Sequence, residues 1–382
     1  MPAGSSHPVG RRAGTPAPRA QGMQICIDMR PALSQSTGVG VYLQNLVGAL
    51  AVLDPTNQYH LFSSSWKERY SPPVYGPNFQ VHDRRWPVSV LNYAWNRLQF
   101  PSIESLTGSK LDVAHSPGPL MMPARRARRV ITVHDLYFYA HPEQTSREIR
   151  RDYASMVRKH CERSDAIIAV SEHTRKQLTS WLNIPPARVC TIRHGADPFF
   201  AGSVPQEELE RIRTKYNLRI PFYLFVGGRQ PRKNLPALLK AFAALEPGAQ
   251  LVLAGPRGAE QESVPGLVET GYVSREELRA LYRQALALVM PSLDEGFGRP
   301  VLEALQSGTP VVASSIPAFH EVGGDAFLAV DPSQVESIAA GMQRIRDDGS
   351  LRQDLIAHGR ERAGRFSWND TAQKTLELYQ SL

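Results

Sequence analysis

A pair of doubly wound α/β domains, each a parallel sheet covered by helices on both faces and facing the other across a cleft, is the fold class this sequence predicts. Three observations carry it. Short apolar runs of branched residues recur from Met23 onwards, longer amphipathic segments separate them, and a polar, proline-bounded stretch divides the series in two. Strands alternating with helices imply parallel pairing. The length of 382 residues also exceeds a single comfortable core, which favours two domains.

In chain order, "MQICIDM" (Met23 to Met29) reads as a buried strand and "VGVYLQNLVGALAVL" as the helix after it. "RVITVHDL" (Arg129 to Leu136), "AIIAVS" (Ala166 to Ser171) and "RVCTIRHG" (Arg188 to Gly195) are further strands, short, apolar and branched. "SREIRRDYASMVRKHCERS" supplies another helix, and "ADPFFAGSVPQEELERIRTKYNLRIP" is the connection, joining the domains near residues 198–220. Beyond it "FYLFVGG", "AQLVLAGP", "LVETGYV", "LALVMPS", "PVVASS" and "AFLAVDP" are strands, with "NLPALLKAFAAL" and "SREELRALYRQA" as helices between them. Ligands of such folds bind beyond the carboxyl ends of the strands, so the cleft is where chemistry is expected.

Composition narrows the class. Hydrophobic residues make up 42% and charged residues 21%, as in ordinary globular proteins. No apolar run approaches the roughly 18 residues of a membrane span. Cys26, Cys161 and Cys190 are few, odd in number and scattered, which argues against a disulfide scaffold or a zinc site and fits a reducing cytoplasm. The net charge is +8, and residues 1–22 contribute Arg11, Arg12 and Arg19 without an acid; that segment has little to bury and reads as a disordered tail. "ARRARR" (Ala124 to Arg129) and "SREIRRDYASMVRKH" concentrate further positive charge, either as solvated surface or as a contact for an anionic membrane or phosphate-bearing partner. Nucleic acid is not the expected partner, because stacking aromatics do not interleave these clusters.

Four features line the expected cleft. "STGVGVYLQNL" (Ser36 to Leu46) runs a glycine loop into a helix; Gly38 and Gly40 would let backbone approach an anion, although a plain turn reads equally well. Leu43 stands where a dinucleotide fingerprint has its third glycine, so a dehydrogenase loses ground. "GGRQPRKNLPALLKAF" places Arg229, Arg232 and Lys233 after a strand, where they either hold a diphosphate without a metal or remain solvated charge. His134 ends a buried strand facing the cleft, and either a structural or a catalytic histidine suits that position.

The fourth feature is "PSLDEGFGRPVLEAL". Pro300 suits a first helical turn, and Gly308 suits the helix stop. Glu303 then lies in the first turn and Glu295 in the loop before it, with bare backbone at Gly296 and Gly298. Amides from Phe297 through Gly298 to Val301 could meet a phosphate at the positive helix end. Carboxylates repel phosphate, so each glutamate is better used accepting hydrogen bonds from hydroxyl groups on either side. Sugar hydroxyls, phosphates and sugar hydroxyls in series describe a nucleotide sugar. Simple dipole complementation by acidic residues leaves the glycines and the loop position of Glu295 unexplained.

With these motifs on the page, "RQALALVMPSLDEGFGRPVLEALQSGTPVVASSIPAFHEVGGDAFLAVDP" resembles the signature region of the retaining glycosyltransferases of family four, whose fold is called GT-B. "YLFVGGRQPRKNLPALLKAF", "GYVSREELRALYRQA", "ITVHDL", "STGVGVYLQNL" and "FSWNDTAQKTLELYQSL" extend the resemblance over nearly everything after Met23. It implies two Rossmann-like domains, an acceptor-side one over residues 23–200 and a nucleotide-sugar one over 201–367, with a last helix, 368–382, crossing back onto the first.

The resemblance also implies roles. Glu295 would contact the transferred hexose and Glu303 the ribose diol, while Lys233 with Arg232 or Arg229 would neutralise the diphosphate. Gly38 and Gly40 would approach the donor phosphates or the acceptor, and His134 would sit by the reacting sugar. The reaction implied is hexosyl transfer with retention, by front-face departure of the diphosphate and without metal or other cofactor. GDP-mannose is the leading donor and UDP-glucose or another UDP-hexose the alternative. The acceptor would be a glycan or a lipid-linked one, placing the protein in the cytoplasm or at the inner membrane face. A non-catalytic nucleotide-sugar-binding protein is the competing class.

Overall fold

A computed structural model describes residues 22–33, 38–144, 152–219, 221–258 and 264–382. The expected tail, apart from Gly22, and the Ser36–Thr37 start of the glycine loop lie outside these residues, as do residues 146–151 of the basic helix.

The first half contains β1 (Gln24–Asp28), α1 (Gly38–Leu53), β2 (Gln58–Ser64), β3 (Phe79–Arg84), α2 (Val88–Tyr93), α3 (Ile103–Thr107), β4 (Val113–Ser116), β5 (Arg128–Val133), α4 (Tyr137–Ala140), α5 (Ala154–Arg163), β6 (Ala166–Ala169), α6 (Glu172–Trp181) and β7 (Val189–Thr191). Its seven strands are all parallel, in the order β3-β2-β1-β4-β5-β6-β7. The second half contains α7 (Gln206–Lys215), β8 (Phe222–Val226), α8 (Leu235–Ala243), β9 (Gln250–Ala254), β10 (Leu267–Gly271), α9 (Arg275–Gln284), β11 (Ala287–Met290), α10 (Arg299–Ser307), β12 (Val311–Ser314), α11 (Pro317–Gly323), β13 (Leu328–Val330), α12 (Val335–Asp347), α13 (Gly349–Ala363) and α14 (Trp368–Gln380). Six parallel strands run β10-β9-β8-β11-β12-β13. The doubly wound α/β class is therefore present twice.

The second sheet follows the sequence reading closely, because its four inner strands, β9, β8, β11 and β12, are largely buried apolar runs, while β10 and β13 form its less buried edges. The first sheet adds β2 and β3, which the apolar-run criterion does not find. In β2 the buried positions include His60, Ser63 and Ser64, and β3 is a largely exposed edge, so neither shows the run that marks a central strand. The connection between the halves is also less irregular than its polarity suggests. It holds α7, with Glu207 and Glu208 in the first turn and Arg213 and Lys215 in the last, each complementing the helix dipole.

Each sheet turns direction between its central strands, β1/β4 in the first and β8/β11 in the second. Those are the switch points at which loops diverge and leave room for a ligand. The chain crosses between the halves twice, after β7 and again after α13, since α14 lies against α1 of the first half. Trp368, Ala372, Leu376 and Tyr379 join Tyr42, Leu46 and Leu50 in one core. Tyr379 Oη is 2.5 Å from His115 Nδ1, and His115 Nε2 is 2.8 Å from Thr132 Oγ1, so this histidine is a buried tie between helix and sheet.

Because α14 contributes to a core it reaches from the other end of the chain, Leu376→Ala is expected to destabilise the first half by about 2–4 kcal/mol, seen as an earlier urea transition. An unchanged transition would mean that the helix is dispensable.

Candidate active site

The switch point of the second sheet places the loops after β8 and β11 side by side, tied by Leu293 N–H donating to the Arg232 carbonyl at 2.7 Å. A short turn, Pro231–Lys233, aims two cations at one carboxylate. Arg232 Nη1 lies 2.5 Å from Glu295 Oε2 and Lys233 Nζ 2.5 Å from Oε1, while Ser292 Oγ donates to Oε1 at 2.9 Å. Lys233 and Glu295 are both buried. Burial alone would raise the Glu295 carboxyl, but Lys233 and Arg232 overcome it and hold the group down at about 2. Arg229 goes the other way from the same loop and pairs with Glu269 on β10, which separates the two arginines that the sequence leaves as alternatives.

Gly298 precedes α10 with φ +99°, and a methyl group there would come within 2.8 Å of the Phe319 ring, so only glycine serves. Pro300 is in the first turn and Gly308 caps the end at φ +71°. Glu303 is the fifth helical residue and therefore begins the second turn, one step further in than its spacing suggests. Its carboxylate accepts from Arg299 Nη2 at 2.8 Å and Tyr282 Oη at 3.1 Å. Two of the amides expected to be open are otherwise engaged or enclosed. Val301 N–H already donates to the Gly298 carbonyl at 3.1 Å, and Phe297 is buried with its ring against His194 and Phe366.

The other half of the site comes from the first sheet. His134 follows β5 immediately, and a Cβ on Gly296 would fall 1.5 Å from the His134 carbonyl oxygen. The two domains therefore touch backbone to backbone at a position that tolerates no side chain. His134 Nε2 is 2.9 Å from the Pro117 carbonyl, an obligate acceptor, so the proton is on Nε2 and Nδ1 is the acceptor. Burial lowers this imidazole to about 4, the Pro117 bond opposes that and Arg299 adds to it, so the ring is neutral near pH 7. Asp135 faces the same cluster, 3.9 Å from Arg232. Gly38 begins α1 and accepts through its carbonyl from Arg299 Nη1 at 2.9 Å; Gly40 is buried in the first turn.

Helix α6 completes the contact. Ser171 Oγ and Thr174 Oγ1 donate to the Gly296 carbonyl at 2.5 and 3.2 Å, and His173 Nε2 is 2.8 Å from Asp294 Oδ1. Glu321 of α11 accepts from the amides of Glu172 and His173 and from Arg193, supplying negative charge to the positive end of α6. Residues 294 and 296, on either side of Glu295, are thus held from the opposite domain. Asp294, Arg299, His173 and Glu321 are absent from the sequence reading; Asp294 and Arg299 lie inside the quoted motif, whereas His173 and Glu321 carry no local signal.

Of the cations named in advance, Lys233 and Arg232 converge on Glu295 and Arg229 does not. Among the described residues no group of three metal-ligating side chains exists. The basic run at Ala124 to Arg129 leads into the amino end of β5, opposite the cleft, and Asp165 pairs with Arg128 and Arg129 there. No helix of the described residues is long and apolar enough to cross a membrane.

The depressed Glu295 carboxyl stabilises the fold fully above its unfolded value near 4.5, and that contribution is lost as pH falls through about 2. Lys233→Met removes part of the cause. The variant is expected to be less stable than the parent at pH 7 in urea, with the difference narrowing below about pH 4.5. A difference independent of pH would exclude the ion pair as its origin.

Comparison with known proteins matches residues 206–362 to Glycosyl transferases group 1 and residues 36–199 to Glycosyltransferase Family 4. The O-antigen chain mannosyltransferase B of Escherichia coli is 31% identical, over 94% of this chain and 100% of that one. Among solved structures, sucrose-phosphate synthase from Thermosynechococcus elongatus superposes with a TM-score of 0.76 at 21% identity, over 94% of this chain and 98% of that one. HepE of Anabaena, in complex with UDP-glucose, gives 0.70 at 16% identity, over 94% and 100%. With both domains matched and a relative aligned over nearly its whole length, the chain belongs to the GT-B glycosyltransferases of group 1 and family 4.

Proposed function

We propose that this glycosyltransferase moves mannose from GDP-mannose to a hydroxyl of a glycan or lipid-linked acceptor, with retention at the anomeric carbon. The observation that carries the reading is the buried Glu295 carboxylate clamped by Lys233 and Arg232 beside the start of α10. The name of the full-length relative, an O-antigen mannosyltransferase, supports the sugar.

In this reading Lys233 and Arg232 receive the departing diphosphate. Fixed cations in a water-poor site stabilise charge as it develops, which takes the place of a divalent metal. Glu295, freed in part from its cations, accepts from hexose hydroxyls and opposes the positive charge that forms at the ring. Three hydrogen-bond donors and a pKa of about 2 make it a weak nucleophile, which favours front-face departure over a covalent intermediate. A phosphate oxygen of the leaving group takes the proton from the incoming hydroxyl. His134, neutral with its proton directed at Pro117, offers Nδ1 as acceptor to a sugar hydroxyl. Glu303 binds the ribose diol once Arg299 turns from it, and Gly38 approaches the donor from α1.

UDP-glucose is the second reading, favoured by the complex in which HepE was solved. Thermal unfolding with GDP-mannose, GDP, UDP-glucose and UDP separates the two, since a ligand of the native state raises the melting temperature. Stabilisation by the guanine nucleotides alone is expected; stabilisation by the uridine ones alone would replace mannose with glucose. Release of nucleoside diphosphate only with acceptor present would establish transfer.

The two glutamates should also separate kinetically. Glu303→Ala is expected to raise the donor KM about tenfold or more with kcat little changed, and Glu295→Ala to lower kcat about a hundredfold or more. Equal effects on both parameters would remove the division of roles.

We further infer that the exposed Arg125 and Arg126 can rest on an anionic membrane. Their amides are held by Glu104, leaving the side chains in solvent. Binding to anionic vesicles that is unchanged in Arg125→Gln/Arg126→Gln would refute it.

A further inference from the structure

We propose that the cavity at the double crossing between the domains is a second binding site, for a phosphate-bearing small molecule. This cavity has a volume of about 550 Å³, within the range that holds a sugar phosphate or a mononucleotide. It is separate from the donor site. Gln306 lines it at the carboxyl end of α10, whereas Glu295 and Arg232 meet near the amino end, roughly 10 Å away along the helix.

Its chemistry is one-sided. Arg283 and Arg360 both line it and no carboxylate does. Among the described residues neither arginine forms an ion pair with an acid. Arg283 donates from Nη2 to the carbonyls of Ala201 and Gly202 at 2.6 and 2.9 Å, which orients the guanidinium without neutralising it. Burial lowers its affinity for the proton and Arg360 lowers it further, the signature of two like charges left facing each other. Arg360 also lies against Gly308 at the negative end of α10. That dipole accounts for one cation, but not for a second, partly buried one beside it.

The amino end of α14, thirteen residues long, faces the same cavity through its N-cap Ser367 and first residues Trp368 and Asn369, while Asp370 of that turn does not line it and pairs with Lys374. Trp368 is buried with its indole N–H unpartnered, and with Phe366 it adds an aromatic wall. Two guanidinium groups, a helix amino end and a flat apolar wall together suit an anion that carries a ring or chain, not a bare halide. The site is made from both segments that join the domains, Ala196 to Ala201 and Gly364 to Trp368, so an occupant would bridge the two hinges.

Thermal unfolding of the full chain in inorganic phosphate, against chloride at equal ionic strength, tests the site. The Lys233→Gln background reduces binding at the donor cations. Phosphate is expected to raise the melting temperature in that background, and Arg283→Gln or Arg360→Gln to abolish the rise. Arg360 is exposed, so its variant keeps the test decisive if Arg283→Gln fails to fold. No rise in phosphate, or a rise that survives substitution of Arg360, overturns the proposal.

Discussion

The ion triple of Glu295, Lys233 and Arg232 is the interaction on which the candidate active site depends. A carboxylate taken out of water is costly unless it is paired and hydrogen-bonded. Here two cations and a serine hydroxyl meet that requirement, and they come from both loops of the switch point. The consequence is geometric. The loops after β8 and β11 cannot move apart without stranding a buried charge, so the second sheet presents one rigid, polar edge to the cleft. In the proposed reading the cations that hold Glu295 are also the groups that receive the diphosphate, so donor binding would exchange one anionic partner for another.

Rigidity on one side would be of little use without alignment on the other. The His134 carbonyl packs on Gly296, and Ser171, Thr174 and His173 hold the residues on either side of Glu295. Arg299 spans the cleft from Glu303 to the Gly38 carbonyl. These contacts make the position of Glu295 a property of both domains. If the cleft opens, the loop loses its outer supports while keeping its inner ion triple, which separates the electrostatics of the site from its alignment.

Much of this was legible in the sequence, for reasons that differ by element. The centre of the second sheet was readable because buried parallel strands are near-continuous apolar runs, and Glu295, Glu303 and Lys233 stood out because glycine, proline and charge are crowded into loops that end strands. The first sheet was half hidden. β2 buries His60 against His82 and Gln24, and β3 lies on an edge, so their pairing relies on partners that composition does not reveal. The choice between Arg229 and Arg232 needed the strand order: β8 has β9 and β10 to one side and β11 to the other, and its following loop sends one arginine each way.

What stayed invisible was the docking of the two domains. Glu321 meets the α6 amides across 149 positions of sequence, and Arg299 meets Gly38 across 261. No local pattern encodes such pairs, because each residue alone reads as ordinary surface charge. The glycine at position 296 is different in kind. The sequence marks it for the bare backbone it would offer a phosphate, and its φ lies outside the left-handed region. The constraint on it is space, imposed by the His134 carbonyl of the other domain. A glycine in a motif can therefore mark a contact between domains as readily as a contact with a ligand, and only the position of the opposing backbone distinguishes the two.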